Sequence, residues 1–148
     1  MRFHIYTDGA ARGNPGESAS GYVIFDRRKR LVARRFFYNG IATNNVAEYL
    51  AIVAALKKVS EEIGESEAIV VSDSELVVNQ LKGNYKVKDS KLKPLYNQAI
   101  VLAKSLKKCE FANEPRENMY ISMVDKALNE LLDNKDHDEQ RHGSQRRL

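Results

Sequence analysis

The sequence predicts an α/β domain: one five-stranded mixed sheet with helices on both faces. Three observations carry this. Short β-rich runs come first, residues 2 to 7 (RFHIYT), 21 to 26 (GYVIFD) and 30 to 38 (RLVARRFFY). The apolar period then changes to helical spacing over residues 43 to 64. After it, AIVVSD at 68 to 73 is an almost continuous apolar run with β-branched residues, as expected of a central strand covered on both faces.

Taken in order, the first run alternates and the short polar link RRK between the second and third predicts a hairpin. In TNNVAEYLAIVAALKKVSEEIG, Val46, Tyr49, Leu50, Val53 and Leu56 recur on one helical face. Thr43 or Asn44 serves as N-cap and Gly64 as the stop. The strand 68 to 73 ends in Asp73. SELVVNQLKG reads as a short helix closed by Gly83, and LKPLYNQAIVLAKSLKK, 92 to 108, as a longer one with Pro94 in its first turn. CEFANEP, 109 to 115, supplies a fifth strand, and MVDKALNELLD, 123 to 133, a last helix. The tail 134 to 148 has one apolar residue and is expected to be disordered, because it buries too little to offset the entropy of ordering it. One domain over residues 1 to 133 follows, with no internal repeat.

At 148 residues and 16.8 kDa the chain fits a single core that buries roughly 70% of the surface the unfolded chain exposes. Hydrophobic residues at 43% and charged residues at 30% exclude neither an enzyme nor a binding module. The single cysteine, Cys109, rules out an intramolecular disulfide and reads as a small, partly buried strand residue. The apolar run in MRFHIYTDG is too short for a signal peptide and no window reaches a membrane span, so a cytoplasmic protein with no membrane partner is expected. Net charge is +4. DRRKRLVARR, 26 to 35, holds six basic residues, and Lys82, Lys86, Lys88, Lys91 and Lys93 form a second cluster. Either is compatible with a solvated face, a blunted edge strand or a polyanionic partner.

Four acids stand out. Asp8 and Asp73 follow apolar runs that read as neighbouring strands, so parallel pairing brings both carboxylates to one end of the sheet. Glu48 borders the buried stripe of the first long helix, and Asp125 lies among Met123, Val124 and Leu128, where an uncompensated acid is costly. Each alone has a structural role open to it as turn former, cap or helix-dipole partner. Together they form a repulsive cluster that needs a counterion, and hard divalent cations with oxygen ligands answer that need.

The chain resembles type 1 ribonuclease H through YTDGAARGNPG, TNNVAEYLAIVAAL, VVSDSELVV and the late PREN with VDKALNELL, in order from about residue 2 to 133. The resemblance implies a ribonuclease H-like fold and an endonuclease that hydrolyses the RNA strand of RNA/DNA hybrids, leaving 5′-phosphate and 3′-hydroxyl ends. It implies two Mg²⁺ ions, with Mn²⁺ as substitute, held by Asp8, Glu48, Asp73 and Asp125 as catalytic and metal-binding residues. It also implies substrate contacts at Asn14, Asn44 and Asn45, and a DNA-phosphate contact at Thr43. Gly9, Gly13 and Gly16 permit close backbone approach.

Three features depart from the family pattern. Glu75 stands where many relatives carry glutamine, adding a negative charge near the expected RNA path. The loop NEPRENMYISMV lacks the histidine that many bacterial relatives place there; His137 and His142 lie too late to replace it, and Arg116 is the candidate for an auxiliary phosphate contact. Between Leu81 and Leu92 only KGNYKVKDSK intervenes, where longer relatives insert a basic helix, so a compact variant lacking that handle is expected. The lysines of that segment and the arginines of 26 to 35 would then supply backbone attraction, Lys86 and Lys88 ahead of the hairpin arginines, whose strand can face the far side of the sheet. Two other readings stay open: a hybrid-binding module without turnover, and the same fold acting on double-stranded RNA or in nucleotidyl transfer. A monomer is expected.

Overall fold

The computed structural model describes the backbone of residues 1–62 and 65–146, and side chains except those of 62–64 and 136–148. Five strands and four helices follow one another as β1 (Arg2–Gly13), β2 (Gly16–Phe25), β3 (Leu31–Ala42), α1 (Asn44–Glu62), β4 (Glu67–Ser72), α2 (Glu75–Leu81), α3 (Leu92–Ser105), β5 (Lys108–Asn113) and α4 (Met119–Arg146). The sheet order is β3-β2-β1-β4-β5. The first three strands form an antiparallel meander, and β4 and β5 add on in parallel through helical crossovers.

Alternation along β1 divides the core. Phe3 and Ile5 face a large cluster with Tyr49, Ile52 and Leu56 of α1, Val77 and Leu81 of α2, and Leu92 and Ala99 of α3. Tyr6 and Ala10 face the other way, where Val124, Leu128 and Leu132 of α4 pack on Ala19 and Val23 of β2. Helices therefore cover both faces, as the sequence predicts. No described helix is long and apolar enough to cross a membrane.

The strands at the start of the chain are longer than their apolar runs. β1 does not stop at Asp8; it continues through GAARG and pairs with β2 as far as Gly13↔Gly16. Small residues hide this extension from a hydrophobic pattern, because what holds it is a hairpin ladder rather than burial. Gly13 has φ of 105°, a conformation that favours glycine, and lets the chain turn within two residues. β3 likewise runs on to Ala42.

The caps are local and explicit. Thr43 Oγ1 accepts from the Val46 N–H at 3.2 Å, which makes Thr43 the N-cap of α1. Ser74 caps α2 by accepting from Val77 N–H. The Asp89 carboxylate accepts from the N–H groups of Lys91 and Leu92 at the start of α3. Asn118 Oδ1 accepts from Tyr120 and Ile121 N–H, so α4 begins at Met119, four residues before the apolar pattern announces it. Gly64, the expected stop of α1, lies outside the described residues. The described backbone also carries α4 to Arg146, where the sequence predicts a disordered tail from 134. Once nucleated, a helix gains one hydrogen bond per residue added, so a polar segment can extend it without a core to bury into.

Candidate active site

Register brings the first two acids together. The parallel β1–β4 ladder ends at Tyr6↔Val71, and two residues further along each segment lie Asp8, still within β1, and Asp73, just past the end of β4. Because β4 stops at Ser72, no strand flanks Asp8 on that side, while β2 still flanks it on the other through Gly21. The notch left beside Asp8 is where the two helical layers can both reach the sheet.

Glu48 enters the notch from α1. A Cβ built on Gly9 would overlap the backbone of Ala47 and Glu48, lying 2.8 Å from the Ala47 carbonyl oxygen. Glycine at position 9 is therefore demanded by the helix, which presses Glu48 against β1, rather than by a ligand. Ser20 Oγ donates to the Ala47 carbonyl at 2.6 Å and itself accepts from Asn39 Nδ2 at 2.7 Å, which pins this turn of α1 to β2. Ser72 Oγ lies 3.4 Å from Glu48 Oε2 and accepts from the Ser74 N–H, linking the end of β4 to both Glu48 and the start of α2.

One carboxylate oxygen from each of Asp8, Glu48 and Asp73 falls within 4.8 Å of the other two. Asp8 and Glu48 are buried, and both Asp8 oxygens lack any hydrogen-bond partner. Burial pushes the Asp8 carboxyl up to about 7; the neighbouring Glu48 carboxyl opposes that, and the charges of Asp73 and Asp125 add to it. Burial also holds Glu48 well above the usual carboxylate range, with the Asp8 charge adding and the Gly9 N–H opposing. Orphaned buried oxygens in an all-carboxylate set are what a hard divalent cation satisfies, so the residues present fit Mg²⁺.

Asp125, half-buried on α4, acts on Asp8 electrostatically from the opposite layer but stands outside the trio of mutually close oxygens. Arg116, from the β5–α4 segment, places Nε 3.3 Å from Asp73 Oδ2.

The reverse transcriptase-like family model matches residues 6–129. The bifunctional protein Rv2228c of Mycobacterium tuberculosis is 38% identical over 135 residues, covering 90% of this chain and 36% of that protein. Ribonuclease HI of Halobacterium salinarum is 36% identical over 132 residues, covering 89% of this chain and 65% of that one. The crystal structure of RNase H1 from Halobacterium salinarum superposes with a TM-score of 0.84 at 35% identity, covering 90% of this chain and 99% of that chain. The chain belongs to the type 1 ribonuclease H family. It spans about a third of the length of the first of these relatives. LC11-RNase H1, isolated from compost, superposes with a TM-score of 0.80 at 36% identity over 86% of this chain and 94% of its own; that structure is a complex with an RNA/DNA hybrid.

Within this ribonuclease H architecture Asn14 and Asn44 meet where the β1–β2 hairpin reaches the start of α1. Asn14 Oδ1 accepts from the Asn44 N–H at 3.1 Å, and Asn44 Oδ1 accepts from the Ala11 N–H at 3.0 Å. Both amides thus tie the β1–β2 hairpin to the start of α1 through their oxygens and leave their Nδ2 groups as donors. Thr43 and Asn45 sit beside them, and Glu75 opens α2 in an exposed position. Residues 82–91 form no helix, so the family's basic handle is absent; Lys86 and Lys88 are exposed there. Burial pushes the Cys109 thiol up to about 12, which disfavours the thiolate a nucleophile needs. His137 and His142 lie where no side chain is described.

Sequence reasoning missed Ser20, Asn39 and Arg12. The first two are small polar residues with no signal of their own, visible only once β2 and α1 are packed. Arg12 bridges layers: its guanidinium pairs with Asp133 at 2.6 Å and donates to the Asn129 carbonyl at 3.1 Å, fixing α4 against β1.

Proposed function

We propose that the chain hydrolyses the RNA strand of RNA/DNA hybrids, leaving 5′-phosphate and 3′-hydroxyl ends. The observation that carries this reading is the buried, unpartnered Asp8 carboxylate in ligand reach of Glu48 and Asp73. Asp8, Glu48 and Asp73 would hold one Mg²⁺, or Mn²⁺ as substitute, and Asp8 with Asp125 a second. The chemistry that such a pair supplies when bound is activation of a water on one side of the phosphodiester and stabilisation of the leaving oxygen on the other.

The chain's own residues set up the substrate. The Nδ2 groups of Asn14 and Asn44, with Asn45 and the backbone at Gly13, border the acids and can bond the 2′-hydroxyl that distinguishes RNA from DNA. Thr43, at the N-terminus of α1, receives a phosphate of the DNA strand, where the helix end favours an anion. Glu75 faces the RNA path and restricts contacts there. Arg116 holds Asp73 in the metal-free chain and serves as a phosphate contact when the substrate arrives, in place of the missing histidine. Residues 1–133 form the catalytic unit, acting as a monomer.

The test is a hybrid labelled on each strand in turn. Cutting of the RNA strand alone, abolished by EDTA and by Asp8→Asn, supports the reading; hydrolysis that persists in EDTA sinks it. Equal cutting of a matched RNA/RNA duplex would shift the substrate to double-stranded RNA.

A further inference from the structure

A groove of about 450 Å³ lies between α1 and the edge strand β3, away from the acids. Arg34 and Arg35 of β3 and Lys57 and Lys58 of α1 line it, with Tyr22 at its floor and Glu61 its one described acid. Lys57 is nine residues beyond Glu48 on the same helix, about 14 Å along its axis. The groove is thus a separate surface from the catalytic notch.

We propose that this groove binds the phosphate backbone of nucleic acid outside the catalytic notch. Arg34, Arg35 and Lys57 are exposed, and among the described residues no carboxylate pairs with any of them. Blunting of an edge strand explains positive charge on β3, but not lysines on the facing helix. Arg35 pairs in register with Tyr22 and so shares the α1 face of the sheet with Lys57, whereas Arg34 reaches the groove only from the edge; cations meeting on a concave surface set up a positive field that solvation alone does not require. The Arg35 guanidinium lies 4.6 Å above the Phe37 ring, which holds its planar fork in place for a phosphate. A chain without the basic handle needs backbone attraction from elsewhere, and the groove offers a basic surface for it. The inference takes only its choice of ligand from the proposed function.

The test measures binding in EDTA, where nothing is cut whether or not the chain is a nuclease. A fluorescent RNA/DNA hybrid of about 20 base pairs is titrated by anisotropy over a range of salt. Replacing Arg35→Gln together with Lys57→Gln should shallow the slope of log affinity against log salt by about 1–2 and weaken binding about tenfold or more near 0.1 M salt. The charge-keeping pair Arg35→Lys with Lys57→Arg should retain the parent slope. Lys104→Gln with Lys107→Gln removes equal charge from elsewhere on the surface and should change the slope less. A groove variant no different from that control, or a charge-keeping pair that also loses the slope, overturns the proposal. Thermal melts of each variant establish that it is folded.

Discussion

Gly9 of β1 and Glu48 of α1 meet backbone to backbone: the space a side chain on Gly9 would need is already filled by the Glu48 nitrogen and the Ala47 carbonyl carbon. This contact sets how deeply Glu48 reaches toward Asp8. Gly9→Ala therefore forces α1 outward, at a cost of about 1–3 kcal/mol for overpacking, since the opposing atoms are backbone and cannot rotate away. Urea denaturation should show that loss, and Mg²⁺ titration of the variant should show weaker binding. A variant with parent stability would mean that α1 is free to slide.

The metal-free site predicts a stability that falls with pH. The folded Asp8 carboxyl keeps its proton up to about 7, against 3.8 for an unperturbed aspartate, so between those values the folded chain binds more protons than the unfolded one. That contribution is fully present below about 3.8 and is lost as pH rises through about 7, of the order of 2–4 kcal/mol. Asp8→Asn removes the titrating group, and its amide can donate to Glu48. In EDTA the variant should exceed the parent in denaturation midpoint at pH 8 and approach it near pH 4. Saturating Mg²⁺ should raise the parent alone, by mass action on the folded state.

How much of this was legible in the sequence follows from which forces write a pattern. Asp8 and Asp73 could be placed together because apolar runs mark β1 and β4, and parallel pairing does the rest. Glu48 was visible as an acid bordering an apolar stripe. The continuation of β1 from Gly9 to Gly13 was not, because a hairpin of small and polar residues is held by main-chain hydrogen bonds that any sequence supplies. Asp125 was foreseen as a member of the cluster, yet its distance from the trio depends on how α4 docks. That docking rests partly on Arg12 with Asn129 and Asp133, residues more than a hundred positions apart, which no local pattern connects.

The pairing of Arg116 with Asp73 predicts opposite effects on metal affinity and turnover. Arg116 is mostly exposed, so the ion pair contributes roughly 0.2–1 kcal/mol. Arg116→Ala frees Asp73, and the Mg²⁺ concentration for half-maximal binding should fall by at most about fivefold. Loss of the phosphate contact should lower turnover on the hybrid by about tenfold or more. Isothermal titration with Mg²⁺ and single-turnover cleavage separate the two readouts. Weaker Mg²⁺ binding in Arg116→Ala would show that the arginine organises Asp73 instead of competing for it.

A last prediction concerns the scaffold beneath the acids. Tyr49, the residue after Glu48, is fully buried and donates its hydroxyl to Gln80 Oε1 at 2.6 Å, joining α1 to α2, the helix that starts just past Asp73. Tyr49→Phe keeps the ring packing and removes only the donor, leaving the buried Gln80 oxygen unpartnered at a cost of about 1–3 kcal/mol. Gln80→Leu in the same chain removes the orphan as well and should recover much of that loss. Because the bond lies below the carboxylates and touches none of them, Mg²⁺ affinity should stay near the parent value while the urea midpoint drops. A double-mutant cycle on the two positions measures their coupling. Coupling near zero would mean that α1 and α2 are held together by the apolar cluster of Tyr49, Val77 and Leu81 alone.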